Sequence, residues 1–537
     1  MLRPTFSGFQ VAKLGLSVSQ KLLDVTGQNI TNINTDGYTR QRVDLYSIAY
    51  SSGADKYSLF NGQIGRGVGD TGASQIRDPF LDIRYRNEAS KVGREKVIGD
   101  AVSDLEEIFG EISKKGLDSQ FSNMISQLQA LSATPSDPVI EGVVKTAATM
   151  ITQLFNHYSK QLSTVREQQI TYMEDSVNET NKIMAEIADL NKQIRDQNIH
   201  GDKALELNDR RNTLIDELST YMNIEVQRRS ESIGSGREVE ILSIVSKDTM
   251  VGSPARGLVL IDGNQTAQIK LDTTDVKNIK ITLENSIDAD LASGTDITTD
   301  FEKGQISGYL SFLNNKAEFT DDTNFSTKDR GLQYYENMLD KIANAFATMF
   351  NDANTRKYDE DGNLVNEARP LFEAEGGGDI TAANIKISDA WRDNTKSYIT
   401  NTNKPPVFDD DGKPVDTSAA NDNIFNMISL FNKKVEFTHD FGGNSNFLFK
   451  GTIQECLSFT SSTLDLQISN TQSLYESYGQ TLLAIDTSRA SISGVSLDEE
   501  GINLLTYNKS YAAAARLMTT LDEALNTLIN NTGRVGL

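Results

Sequence analysis

Any chemistry this 537-residue chain performs must come from a short inventory of side chains. Its three histidines are His157, His200 and His439, and its one cysteine is Cys456. None of the histidines neighbours the cysteine or a G-x-S-x-G elbow, which argues against a hydrolytic triad. A single cysteine allows no intramolecular disulfide and no thiolate metal cluster. Cys456 precedes an apolar helical stripe and reads as a buried, inert thiol, and Trp391 reads as core. The string Gly67-Val68-Gly69-Asp70-Thr71-Gly72 spells the dinucleotide fingerprint. That fingerprint needs a strand before it and a helix opening inside it. Here loop-like residues precede it and Pro79 follows, so a Gly-rich turn is expected instead.

Two acidic clusters, 358–365 and 408–415, carry Asp-Gly between apolar flanks. An EF-hand needs oxygen ligands at loop positions one and twelve. Placing Gly362 or Gly412 at position six puts Lys357 or Val407 first and Ala368 or Ser418 last. Both fail, and both clusters read as hairpin tips. The expectation is therefore no catalytic residue, no cofactor and no metal, and a protein that is not an enzyme.

Charge narrows the partners. Lys plus Arg total 52 against 75 Asp plus Glu, a net charge of −23. Nucleic-acid binding needs clustered positive charge, so no nucleic acid is expected, and an anionic membrane surface is disfavoured too. No run approaches the ~18 apolar residues of a membrane span, so no membrane insertion is expected. The opening Met1-Leu2-Arg3-Pro4-Thr5-Phe6 lacks the charged-then-apolar pattern of a cleavable signal peptide.

The elements that would carry such residues are mostly helices. Periodicity predicts helices at 5–33, 97–109, 117–131, 139–197 and 204–221, and further helical stretches at 332–350 and 453–488. The span 139–197 alone would form a rod roughly 85 Å long. A short extended segment is expected at 39–45, and loop at 51–75. From Asn223 the pattern changes to short β-branched runs at 224–226, 239–242, 258–261, 267–271 and 279–283, separated by Gly and Asp/Asn clusters. Residues 355–447 read as a second, mixed insert. The fold class expected is multidomain α+β, an elongated helical bundle and coiled-coil core built from both chain ends, with β-rich inserted outer domains. Its expected divisions are 1–45 with 490–537 as the terminal coiled coil; 46–222, 304–354 and 448–489 as the long-helix rod; 223–303 as the β-rich insert; and 355–447 as the mixed insert.

The ends carry the strongest pattern. Leu504, Tyr511, Met518 and Leu525 repeat every seven residues, and Tyr507, Ala514, Leu521 and Leu528 repeat three residues later. That is an a/d seam over about four heptads, the pattern of a helix that winds around partners. Phe9, Leu16, Leu23 and Ile30 form a weaker seam at the start, followed by Ala12, Ser19, Thr26 and Ile33. Ser496-Leu497-Asp498-Glu499 spells a capping box at the last helix, and Gly494 offers a hinge before it. Both ends read as adhesive amphipathic rods whose apolar edges are buried against neighbouring copies, and they are expected to be frayed in the free monomer.

Two stretches then resemble a known family. The segment 25–43, with Asn29-Ile30-Thr31-Asn32-Ile33-Asn34-Thr35-Asp36-Gly37-Tyr38 at its centre, resembles the N-terminal signature of bacterial flagellar axial proteins. The C-terminal 494–500 and 504–515 are more discriminating. Together with Ile76-Arg77-Asp78-Pro79-Phe80-Leu81 and the helices around Pro135, they resemble the hook-associated protein 1 family, which joins hook to filament. The resemblance spans roughly 1–220 and 440–537 and leaves the two inserts unaligned. Thr31, Asn508 and Glu141 depart from the family pattern, and a basic residue is expected at the last.

The resemblance implies a structural, extracellular subunit of the flagellum, exported through the type III apparatus without a cleavable signal peptide. It implies a ring of identical subunits, with hook protein and the second hook–filament junction protein as neighbours. It also implies a flagellar export chaperone at the C-terminal helix. The assembly surface falls on the seam residues Phe9, Leu16, Leu23, Ile30, Leu504, Tyr507, Tyr511, Ala514, Met518, Leu521, Leu525 and Leu528. Asn29, Asn32, Asn34, Gly37 and Tyr38, where the first helix ends, complete it. Another axial component, hook-like or flagellin-like, is the alternative in the same class. A secreted adhesin with activity in the inserts is the alternative from another class. A pocket with convergent polar groups in 223–303 or 356–440 would favour the adhesin.

Overall fold

A computed structural model describes residues 7–48, 65–114, 116–234, 237–251, 256–288, 291–323, 330–359, 363–407 and 419–530. The chain opens with α1 (Ser7–Thr31) and a hairpin of β1 (Gln41–Ser47) and β2 (Val68–Gln75). Four helices follow: α2 (Pro79–Lys114), α3 (Leu117–Ala133), α4 (Pro138–His200) and α5 (Leu205–Tyr221). Their ends are written locally. Asp78 accepts from the Phe80 amide ahead of Pro79, and Asp137 accepts from the Val139 amide ahead of Pro138. Gly201, in the left-handed conformation, closes α4.

The β-rich segment holds β3 (Ile224–Gly234), β4 (Arg237–Val251), β5 (Arg256–Asp262) and β6 (Gln265–Thr266) in one antiparallel sheet. A separate pair joins β7 (Gln268–Asp272) to β8 (Lys280–Asn285). Asn181 and Asn191 of α4 donate to the Ile269 and Gly263 carbonyls, which fastens these strands to the long helix. All five β-branched runs expected from sequence lie in strands or at their edges.

Helices α6 (Gln305–Asn314) and α7 (Leu332–Ala353) return to the bundle. The next segment carries the small pairs β9 (Arg356–Tyr358) with β10 (Leu364–Glu367) and β11 (Phe372–Ala374) with β12 (Ile385–Ile387). The first pair flanks one Asp-Gly cluster, whose tip at 360–362 lies outside the described residues. The second cluster, at 408–415, lies outside them as well. One-turn α8 (Asp389–Arg392) and α9 (Asp422–Leu430) precede the hairpin β13 (Val435–Phe441) and β14 (Asn444–Gly451). The chain ends with α10 (Ile453–Ser493) and α11 (Leu497–Asn530).

The centre is a helical bundle. Helix α10 runs antiparallel to α2: Arg489 sits over Tyr85, Lys91 over Tyr478, and Gly99 against Thr471. Residues from opposite halves of the chain therefore share one core. Its aromatic heart joins Phe121, Phe155, Phe346, Phe350, Phe372 and Phe431, with centroids 5.0–6.4 Å apart. At 63 residues, α4 spans about 95 Å. The fold is multidomain α+β, with long helices at both ends and small antiparallel sheets in the inserted regions.

Two expectations are corrected. Residues 68–75 are a strand rather than loop or turn, because their backbone pairs with β1 while Gly67 beside them packs on Val11 and Leu14 of α1. Helix α2 starts at Pro79, well before 97. Its first half hides from a hydrophobic scan because ion pairs fill its buried side: Arg77 with Asp82, and Arg86 with Asp216 of α5.

Candidate functional site: the paired terminal helices

The residues with chemical potential stay apart. Cys456 is fully buried in α10, where burial pushes its thiol up to about 12. His439 pairs with Asp321 at 3.0 Å, and His157 lies against the Tyr158 ring. Among the described residues no three His, Cys, Asp or Glu side chains converge as a metal site, and no helix is long and apolar enough to cross a membrane.

The two ends of the chain come together instead. Helices α1 and α11 pack antiparallel, with Gly8 beneath Leu521 and Gly15 opposite Ala514. A Cβ on Gly8 would come within 3.2 Å of the Leu521 side chain, so the small residue permits close approach. On α1, Ala12, Ser19 and Thr26 are buried, Phe9, Leu16, Leu23 and Ile30 are half-buried, and Ile33 is exposed. On α11, Tyr507, Ala514, Met518, Leu521 and Leu525 are half-buried, whereas Leu504, Tyr511 and Leu528 are exposed. Much of the seam is therefore used inside one subunit. This corrects the expectation that neighbouring copies alone would cover it: α1 is already there.

Further apolar side chains on α11 remain uncovered. By helical geometry Ile502, Leu505 and Ala512 lie on the side turned from α1, among Lys509 and Arg516, and Leu517 lies on its flank. Leu505 is 64% exposed and Ile502 65%. In all of α11 only Glu500 is buried.

Where α1 ends, the predicted loop residues organise the turn. Asn29 is buried; its Oδ1 accepts from the Gln41 amide at 3.0 Å and the Tyr38 hydroxyl at 2.9 Å, and its Nδ2 donates to the Gln41 carbonyl at 2.9 Å. It acts within the subunit, pinning β1 to α1. Asn32 donates to the Gln28 carbonyl, while Asn34 is exposed. Gly37 has φ +76, and a Cβ there would meet Thr213 Oγ1 at 2.2 Å, so only glycine fits. Burial, followed by the Asp209, Glu206 and Glu500 carboxylates, pushes the Tyr38 phenol up to about 12.

Arg40, the second residue beyond Tyr38, completes the corner. Its amide donates to the Ser493 carbonyl at the end of α10, at 2.8 Å. Its guanidinium donates to Glu499 at 2.6 Å and Glu500 at 2.8 Å, in the first turn of α11. Burial opposes the charge, but the two carboxylates outweigh it and raise the guanidinium above its usual value. Sequence reasoning missed this clasp, since Arg40 and Glu500 are 460 positions apart. It also assigned Glu499 to a capping box. The Glu499 amide does reach Ser496 Oγ, at 3.5 Å, but its side chain goes to Arg40. Just below, Arg489 of α10 meets Asp82 and Asp216 at 3.2 and 2.6 Å, tying α2, α5 and α10 at the base of the corner.

Comparison with known proteins agrees with this architecture. The family model for the flagellar hook-associated protein FlgK helical domain matches residues 102–372, which includes the β-rich segment left unaligned above. The flagellar basal body rod FlgEFG protein C-terminal model matches 488–531. The chain is 29% identical to flagellar hook-associated protein 1 of Bacillus subtilis, covering 98% of this chain and 99% of that one. It is 24% identical to flagellar hook-associated protein 1 of Salmonella typhimurium over 97% of this chain and 98% of that one. The flagellar hook junction protein FlgK from Burkholderia pseudomallei shares the fold, with TM-score 0.54 at 12% identity over 76% of this chain and all of that one. The chain belongs to the flagellar hook-associated protein FlgK family.

Proposed function

We propose that this chain is a structural subunit of the bacterial flagellum that joins hook to filament, polymerising through its terminal helices into a ring of identical copies. Hook protein on one side and the second hook–filament junction protein on the other are the neighbours this reading requires. The reading places the subunit outside the cell, exported without a cleaved signal peptide, with an export chaperone on α11 before assembly. The division into a terminal coiled coil at 1–45 and 490–537, a rod and two inserts follows the same logic, with the inserts facing outward.

The observation that carries it is the exposure of Ile502, Leu505 and Leu517 on a helix whose other side already rests on α1. Large apolar side chains left in water on one long surface helix, even with Lys509 and Arg516 between them, mark a protein interface. The family's structural role gives that interface its partner, a second copy. Leu505→Asp and Leu517→Asp test it. Monomer melting should be unchanged, because neither side chain is buried in the subunit. Docking onto isolated hook ends, seen by negative-stain microscopy, should be lost. Docking at the wild-type level by both variants would refute the reading.

A further inference from the structure

Helix α11 buries few of its own side chains. Its contact with α1 runs through half-buried side chains, and Glu500 is its one buried residue, at 2% exposure. A cavity of about 220 Å³ lies beside that residue, lined by Leu22, Val25, Asn29, Ile76, Asn503 and Tyr507. Interlocking side chains therefore do not fix how far α11 is slid along α1 at this end. Heptad seams slip by whole turns when nothing polar sets their register.

Arg40 supplies that polar contact. It is fixed from three directions: its amide on the Ser493 carbonyl, its carbonyl accepting from the Ile76 amide at 2.9 Å, and its guanidinium across Glu499 and Glu500. The first anchors it to the end of α10 and the second to the hairpin base. The guanidinium then holds the first turn of α11. We infer that Arg40 is the positioning residue of the terminal helix pair: it sets the register of α11 on α1 and the direction in which α11 leaves α10. The inference rests on the assembly reading for its purpose, because a ring needs every copy to present the free side of α11 at one height. Arginine suits the task, since its planar fork spans two carboxylates where a lysine ammonium is a point charge.

The test uses the full chain with Gly15→Cys and Ala514→Cys. A Cβ at Gly15 lies 3.7 Å from the Ala514 Cβ, inside the ~3.5–4.5 Å that a disulfide needs. Cys456 stays, being buried. Mild oxidation should close this bridge quickly in the parent. Adding Arg40→Met should slow closure about tenfold or more, the scale of losing hydrogen bonds to charged groups. The off-register pair Gly15→Cys with Met518→Cys, one turn along, should gain what the first pair loses. Arg40→Lys should recover only part. Glu500→Gln, which keeps the shape, should act in the same direction and covers the case in which Arg40→Met does not fold. A parent that fails to crosslink, or an Arg40→Met variant that crosslinks as the parent does, overturns the inference. Hook docking is read separately. Lost register with full docking refutes the assembly reading and leaves Arg40 as the register residue; lost docking with unchanged register refutes the role of Arg40.

Discussion

Glu141 Oε1, in the first turn of α4, accepts a hydrogen bond from Trp391 Nε1 at 2.9 Å across 250 positions of sequence. The same buried carboxylate accepts from Ser397 Oγ at 2.7 Å and from the Tyr398 and Ile399 amides. Four donors of the inserted segment thus converge on one side chain of the rod, which gives the acidic residue at 141 a purpose. Glu141→Ala should leave the Trp391, Tyr398 and Ile399 donors buried and unpaired, at about 1–3 kcal/mol each before relaxation, and so destabilise by several kcal/mol in total. Glu141→Gln, which turns an amide donor toward other donors, should cost less than Ala but more than about 1 kcal/mol. Trp391 is the only tryptophan and fully buried, so the urea midpoint of its fluorescence reads the change directly.

Two glycines of α2 should respond in opposite ways to alanine. A Cβ on Gly93 would stand 2.2 Å from the Thr220 carbonyl oxygen, a backbone atom that cannot step aside. Gly93→Ala should push α2 off α5 and cost about 1–3 kcal/mol, as overpacking does. At Gly99 the nearest atom is the Thr471 methyl at 3.6 Å, an ordinary contact. Gly99→Ala should be neutral or stabilise by about 0.5–1 kcal/mol through helix propensity. Paired thermal melts decide it, and equal behaviour of the two variants would refute the packing argument.

Alkaline pH should loosen the corner through Tyr38. Its phenol is moved from 10.0 up to about 12, chiefly by burial and then by Asp209, Glu206 and Glu500. A folded pKa above the unfolded one means the neutral phenol is favoured in the folded chain. Its stabilising contribution is complete below about pH 10 and disappears as pH rises toward 12. Tyr38→Phe removes the hydroxyl bond to Asn29 and should cost about 1 kcal/mol at neutral pH. It should also make the rate of Gly15→Cys/Ala514→Cys bridge closure less sensitive to pH between 10 and 12. An unaltered pH dependence in that window would show that Tyr38 titrates freely.

The terminal helices were legible because a seven-residue repeat is a local signal. Their partner was not: Tyr507, Ala514 and Leu521 repeat identically whether α1 of the same chain or another copy covers them. Strand β2 was illegible for a different reason. Val68-Gly69-Asp70-Thr71-Gly72-Ala73 carries little β propensity, and its pairing with β1 comes from tertiary context. Helix α2 was half-hidden because ion pairs occupy its buried side. The clasp at Arg40 was invisible, since nothing within a window of sequence links it to Glu499 and Glu500. Periodicity therefore located the surface that matters, while the contacts that orient it are polar, singular and long-range.

Hydrogen exchange of the free monomer should separate the two ends, both of which the sequence alone expects to fray. Amides open locally with free energies from about zero up to the global value, according to how much packing holds them. Helix α1 buries Ala12, Val18, Ser19, Thr26 and Asn29 against the hairpin and α11, whereas α11 buries Glu500 alone. The amides of α11 from 517 to 530 should therefore exchange first, at rates near those of an unstructured chain. Its first turns, 499–507, should be slower because Arg40 holds them, and α1 slower again. The middle of α4, with Ile151, Phe155 and Tyr158 fully buried, should be slowest. Docking onto hook ends should then change the protection of 517–530 most, since those amides start with the least. Uniform protection of α11 at the level of α4 in the free monomer would mean the helix needs no neighbour to be ordered, and the energetic reason for assembly through it would be gone.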